Sequence, residues 1–312
     1  MTVRPYIQIA RIDHWFKNVF MFPGIVLAFL FIKPGLDMNT VVRLVVGFLA
    51  VCLIASANYV INEILDAPYD KNHPVKKNRP VPSGQVKVPL ALLEFGLLIL
   101  AGLGLSLLIN VPFLISNASL LLMGLVYNLP PVRTKDVPYV DVLSESVNNP
   151  IRLLLGWYSA TPMLFPPLSI IVAYWMLGAF FMAAKRVGEH RDLKDHETIR
   201  IYRKSLSRYT QDKLIISMFF YASFFSFMSA IFLIRYKFEL ILLTPFFSAL
   251  IGEYIRLAYL PHSPAQYPEK LYRQKRLMAL CFLISVLFVV LLYVRIPWLN
   301  RFFDPMYKNL TQ

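Results

Sequence analysis

Nine runs of mainly apolar residues recur along the chain, at about 16–32, 40–62, 88–109, 111–129, 139–160, 167–188, 213–234, 238–259 and 276–296. Each approaches the ~20 residues that a membrane-spanning helix needs. This pattern predicts an all-α fold, a polytopic membrane bundle of about nine transmembrane helices, in a single domain over residues 1–312. Only 16% of the residues are charged and 57% are hydrophobic, which leaves too little polar surface for a soluble domain of this length. The fifth run is the least regular, because Asp141, Glu145, Asn148, Asn149 and Arg152 interrupt it. A polar span has to face the bundle interior or a wet cavity, since charge facing lipid is costly.

The net charge of +14 is a membrane signal rather than a nucleic-acid one. Lys and Arg collect in cytoplasmic loops and near anionic lipid headgroups, and no basic run is interleaved with aromatics. Basic residues concentrate in the N-terminal segment and in the loops after the second, fourth, sixth and eighth runs, while the intervening loops hold few. The positive-inside rule then predicts a cytoplasmic N-terminus and a C-terminus outside, in a bacterial-type cell membrane. Trp298, Phe302 and Phe303 suit an interfacial belt at that outer end. The N-terminal stretch lacks a continuous apolar core, so no cleavable signal peptide is expected. Cys52 and Cys281 fall inside apolar runs and read as reduced core residues. Nothing in the sequence bears on oligomeric state.

The densest polar stretch follows the second run: Asn62, Glu63, Asp66 and Asp70, then Lys76, Lys77 and Arg79. Asn62, Asp66 and Asp70 are spaced four apart and share a face of a continuous helix. Three oxygen-bearing side chains at a membrane edge suit a hard cation, and Mg2+ prefers one or two carboxylates completed by water and phosphate oxygens. A solvated helix end with caps and ion pairs accounts for the same spacing. Pro68 removes a backbone donor and disfavours helix at Ala67, so the helix is expected to end near Asp66, with Asp70 entering from a turn. Lys76 and Arg79 could neutralise phosphate, Arg bidentately; ordinary cytoplasmic loop charge is the alternative.

A second polar stretch follows the sixth run. Lys185, Arg186 and Glu189 open it, and Glu189, Asp192 and Asp195 recur every three residues, either as a second metal or phosphate site or as local ion pairs. Arg203 belongs to a basic turn before the seventh run that reads as a headgroup contact or a lid. Lys17 and Asn18, at the start of the first run, are an interfacial anchor or a substrate contact. A transporter is the competing class, because buried polar residues also mark transport pathways. Against it, the polar residues gather at one membrane face.

The stretch Asn62-Glu63-Ile64-Leu65-Asp66-Ala67-Pro68-Tyr69-Asp70, followed by Arg79-Pro80-Val81-Pro82-Ser83-Gly84, resembles the first acidic motif of the UbiA superfamily of intramembrane prenyltransferases. Glu63 stands where that family usually has Asp. The resemblance implies a nine-helix UbiA-like transferase domain with a lateral opening for a lipid chain and a Mg2+-bound diphosphate at the cytoplasmic end. It implies Asn62, Glu63, Asp66 and Asp70 as metal ligands. Asp66, Asp70 and Lys185 become catalytic, and Lys17, Asn62, Lys76, Arg79, Lys185, Arg186, Glu189 and Arg203 bind the diphosphate substrate. Trp15-Phe16-Lys17-Asn18, His73-Pro74-Val75-Lys76, Lys185-Arg186-x-x-Glu189 and Tyr202-Arg203-Lys204-Ser205-Leu206-x-x-Tyr209-Thr210 are similar to the decaprenyl-phosphate phosphoribosyltransferase branch. That likeness implies phosphoribosyl pyrophosphate as donor and a polyprenyl phosphate as acceptor. Tyr127-Asn128-Leu129-Pro130-Pro131-Val132-Arg133-Thr134-Lys135, with Asp141, looks more like the aromatic-prenylating branches, which implies prenyl transfer from a polyprenyl diphosphate instead.

Overall fold

In a computed structural model, which describes residues 3–71, 76–192 and 204–299, the chain is helical and has no strand among the described residues. The elements are α1 (Arg4–Ile9), a 3-10 segment (Ile12–Met21), α2 (Phe22–Phe31), α3 (Met38–Asp70), α4 (Val88–Leu107), α5 (Val111–Asn128), α6 (Val140–Ser146), α7 (Asn148–Ala160), α8 (Leu168–Asp192), α9 (Gln211–Tyr236), a 3-10 turn leading into α10 (Thr244–Ala258), and α11 (Lys275–Tyr293). Several helices start where the sequence supplies a cap. The Asp37 carboxylate accepts from the Thr40 N–H at 2.8 Å, Asn110 accepts from Phe113 N–H at 2.8 Å, and Thr210 accepts from Lys213 N–H at 3.3 Å. Each satisfies one of the orphan donors of a helix N-terminus.

Eight helical stretches among the described residues are long and apolar enough to cross a membrane. The ninth expected span is present but broken. Residues 139–160 form α6 and α7, joined at Val147, and neither piece is long enough to cross alone. This element is held inside the protein, where α7 packs on α2, α3, α5 and α8 and Leu153, Leu155, Trp157 and Ala160 are buried. A broken helix is tolerated at membrane depth where protein or a wet cavity surrounds it. Two glycines set its approach to α2. A Cβ on Gly24 would stand 1.9 Å from the Leu153 carbonyl oxygen, and one on Gly156 would stand 1.9 Å from that of Met21. The backbones meet where only hydrogen fits.

The helix carrying the acidic residues also departs from expectation. It does not end at Asp66; α3 runs through Pro68 to Asp70. Proline there removes one donor in the last turn, and Lys71 N–H still closes that turn on the Ala67 carbonyl at 3.2 Å.

The buried residues form two large clusters. One joins α2, α3, α5 and α7 through Met21, Leu27, Ile54, Leu120 and Trp157. The other joins α8, α9 and α10 through Phe180, Ala183, Tyr221 and Leu257. A cavity of about 1830 Å³ is lined from both sides. Outward positions such as Phe219, Phe227, Ile234 and Phe282 are largely exposed, as a lipid-facing surface requires.

Candidate functional site

The cavity collects the two polar stretches that lie more than a hundred residues apart in sequence. Asn62, Asp66 and Asp70 reach it from the end of α3, and Lys185, Arg186 and Glu189 from the end of α8. The continuous helix places Asn62 and Asp66 one turn apart, with the Asn62 amide donating to the Asp66 carboxylate at 3.1 Å and to Asn128 Oδ1 at 2.5 Å. Asp66 is in turn held by Lys135, which also donates to Asn128 Oδ1 at 2.8 Å, and by Arg133 at 3.0 Å. Asp70 pairs with Arg79 at 2.7 Å, with Lys76 at 4.0 Å. Every one of these carboxylates therefore carries cations that a phosphate could take over.

Glu63 is a correction. Its buried carboxylate accepts from Val81 N–H at 3.2 Å and faces Arg11 at 3.6 Å. It ties α3 to the loop that follows Arg79 instead of joining Asp66 and Asp70. Lys17 also sits apart from the acidic pair, against His14 at 3.1 Å and over the Tyr59 ring at 5.8 Å. Asp192 leaves the site, its carboxylate accepting from His262 N–H at 3.2 Å and from the Gln266 side chain at 2.7 Å. Arg203, His73 and Asp195 lie outside the described residues.

On the α8 side the charges are buried. Arg186 is wholly enclosed and donates to Asp141 at 3.0 Å and to Glu189 at 2.8 Å. Asp141 also accepts from Ser205 Oγ at 3.1 Å and from the Tyr209 hydroxyl at 2.7 Å, and that hydroxyl accepts from Tyr139 N–H. Burial first, then the Asp141 carboxylate, pushes the Tyr209 phenol above its ordinary range. One amino group of the Arg186 guanidinium, Nη2, has no hydrogen-bond partner among the described residues although it is buried. Lys204 reaches from this side to the Tyr69 ring at 5.8 Å, which Arg133 covers at 4.8 Å.

Three groups of this site escape a local reading of the sequence. Arg133 and Lys135 sit in a short loop and meet Asp66 only through the fold; their sequence signals are a basic pair in a loop on the same face as the acidic stretch and the family-like segment 127–135 that contains them. The partner of Asp141 has no local signal beyond the oddity of a charge in an apolar run.

The donor set fits a hard divalent cation. Two carboxylates and an amide oxygen project from one helix face, and no group of three or more His, Cys, Asp and Glu close enough for a metal occurs among the described residues. Such a cation would complete its shell with water and phosphate oxygens, the arrangement Mg2+ favours. Eleven cationic side chains and seven carboxylates line the cavity, an excess of four positive charges.

The family model of the UbiA prenyltransferases matches residues 20–274. The chain belongs to the UbiA prenyltransferase family. It is 29% identical over 154 residues to an uncharacterised protein of Sinorhizobium fredii, a match covering 49% of this chain and 28% of that protein. It is 28% identical over 211 residues to the decaprenyl-phosphate phosphoribosyltransferase of Mycolicibacterium smegmatis, covering 67% of this chain and 63% of that enzyme. The chain thus spans less than two thirds of the length of these relatives. A UbiA homologue from Archaeoglobus fulgidus, solved with GPP and Mg2+, superimposes with a TM-score of 0.69 at 19% identity, covering 90% of this chain and 99% of that one. At that identity the likeness establishes the UbiA fold.

Proposed function

We propose that this protein is a membrane-embedded, Mg2+-dependent transferase that moves phosphoribose from phosphoribosyl pyrophosphate to a polyprenyl phosphate, releasing diphosphate. The observation that carries this reading is the cation excess of the large cavity that holds Asp66 and Asp70 at one end and has apolar walls. Two phosphorylated substrates bring several negative charges, and a single prenyl diphosphate brings fewer. The M. smegmatis relative, named for this activity, supports the choice. In the reaction, an oxygen of the lipid phosphate forms a bond to the ribose anomeric carbon, and the bond from that carbon to the diphosphate oxygen breaks.

The residues of the site have separable tasks. Lys76, Arg79, Arg133 and Lys135 exchange their carboxylate partners for diphosphate oxygens and stabilise the charge that develops on the leaving group. Lys185 and the unpartnered Nη2 of Arg186 approach the same charge from α8. Asn62, hydrogen-bonded to both Asp66 and Asn128, keeps the Asp66 carboxylate oriented. Asp66 and Asp70, with the Asn62 oxygen, would hold Mg2+, which supplies Lewis-acid shielding of the diphosphate when bound. The apolar walls accept the isoprenoid chain. The site end of the bundle carries the basic loops, so we place it, with the N-terminus, on the cytoplasmic side and the C-terminus outside.

The test offers purified full-length protein and Mg2+ two labelled substrate pairs, phosphoribosyl pyrophosphate with polyprenyl phosphate, and a prenyl diphosphate with an aromatic acid. Phosphoribosyl lipid is the expected product. A prenylated aromatic alone would overturn the reading in favour of prenyl transfer.

A further inference from the structure

Arg152, on the broken inner element, differs from its neighbours. Arg11, Arg79, Arg133 and Arg186 all line the same cavity and each pairs with a carboxylate. Arg152 makes no ion pair among the described residues. Its Nε donates to Asn18 Oδ1 at 3.0 Å and its Nη1 to the Asn148 carbonyl at 3.3 Å, both neutral acceptors, and Nη2 makes no hydrogen bond among the described residues. An uncompensated cation inside a membrane bundle is costly and marks a functional site. Asn18 is itself buried and fixed by a contact to Cys52 at 3.2 Å, so the guanidinium is held in place from two elements.

Its surroundings are cationic and lie deeper than the acidic pair. Arg152 lines the cavity together with Tyr59, Lys17 and Arg11. Lys17 and Arg11 cover the Tyr59 ring at 5.8 and 5.4 Å. Tyr59 stands seven residues before Asp66 on α3, which is about 10 Å of helix rise, two turns further along nearly the same face. The cavity therefore has two polar levels. The outer one, around Asp66 and Asp70, combines carboxylates with cations. The inner one, around Arg152, has Lys17 and Arg11 beside it, with Glu63 held by Arg11 and Asp13 by His14, and Glu145 makes no ion pair among the described residues.

We infer that the inner level is a separate subsite for the phosphate monoester head of the lipid acceptor. This rests on the phosphoribosyl transfer proposed above. An in-line displacement needs the ribose between the leaving diphosphate and the attacking phosphate, and two polar levels along one helix face provide for both. Arg152 Nη2 donates to the lipid phosphate, with Lys17 beside it. Glu145 accepts the remaining P–OH hydrogen of a singly protonated monoester, whose second ionisation falls near pH ~6. When that proton moves to Glu145, the freed oxygen is the one that attacks.

The test measures equilibrium binding of a polyprenyl phosphate and of the matching polyprenol to the full chain in nanodiscs, without donor, for wild type, Arg152→Gln and Arg152→Lys. The lipid phosphate should bind wild type more tightly than the alcohol does. Arg152→Gln should weaken phosphate binding by about tenfold to a hundredfold, the range for a charge-assisted hydrogen bond, and leave alcohol binding and phosphoribosyl pyrophosphate binding unchanged. Arg152→Lys, which keeps the charge and serves if the Gln variant fails to fold, should recover part of the loss. Equal phosphate affinity in wild type and Arg152→Gln, or no preference for phosphate over alcohol in wild type and Arg152→Lys alike, would overturn the subsite even if wild type makes phosphoribosyl lipid. Arg152-dependent phosphate binding in a protein that makes none would leave the subsite standing and overturn the transfer reaction.

Discussion

The two halves of the site use the same residue types for opposite ends. At the end of α3, Asp66 and Asp70 are paired with cations from other segments; Asp70 is buried, while Asp66 retains 21% and Arg79, the partner of Asp70, 28% side-chain exposure. At the end of α8, Arg186 and Asp141 are fully enclosed and Asp141 is further pinned by two hydroxyls. A pair with one partly exposed member on an open cavity exchanges its partner at lower cost, because water reaches that member. A buried pair does not, because either member left alone is a desolvated charge. On the function proposed above, the α3 half is the exchangeable end, where phosphate and metal would displace ion pairs. The α8 half would be the fixed wall against which they dock, presenting Nη2 of Arg186.

Breaking the fixed half should give the largest effect. Arg186→Leu leaves Asp141 and Glu189 buried without their shared cation, and should cost about 3–5 kcal/mol of stability, read as lost folded yield and an earlier unfolding midpoint in detergent. The matching change in the exchangeable half should act on turnover instead. Asp66→Asn should lower transfer by about 10²–10³-fold, the range for removing one preorganised electrostatic group, with a smaller loss of stability than Arg186→Leu, because the amide oxygen still accepts from Lys135 and Arg133. Unfolding by Asp66→Asn, or a well-folded Arg186→Leu, would erase the distinction between the halves.

How far the sequence discloses this site follows from the range of each interaction. The spans are legible because hydropathy is a property of contiguous residues, and Asn62 and Asp66 are legible because i, i+4 spacing is local. The alternation of basic and sparse loops puts the 62–79 and 185–189 stretches on one face, and both line the same cavity. The pairings of Lys135 with Asp66 and of Arg186 with Asp141 are not legible, since they join segments 69 and 45 residues apart and depend on how the helices pack. Glu63 was misplaced for the same reason: the chain returning after Arg79 captures its carboxylate. Pro68 differs in the other direction: it lies in the last turn of α3, which one missing donor does not break.

The smallest expected effect sharpens the comparison most finely, because it alters the fixed half without touching a charge. Tyr209→Phe removes the hydroxyl that donates to Asp141 and accepts from Tyr139 N–H. Leaving buried groups unsatisfied should cost about 1–3 kcal/mol near neutral pH. The pH dependence has a definite sign. The folded-state phenol is raised above its ordinary value of ~10, so above that pH the unfolded chain loses a proton that the folded protein keeps. Its contribution is whole below pH ~10 and declines as pH rises further. The gap in melting temperature between wild type and Tyr209→Phe should therefore be constant from neutral pH to about 10 and narrow beyond it. A gap that widens in alkali would mean that Tyr209 ionises more readily in the folded protein, and that the wall around Asp141 is open to water as the α3 half is.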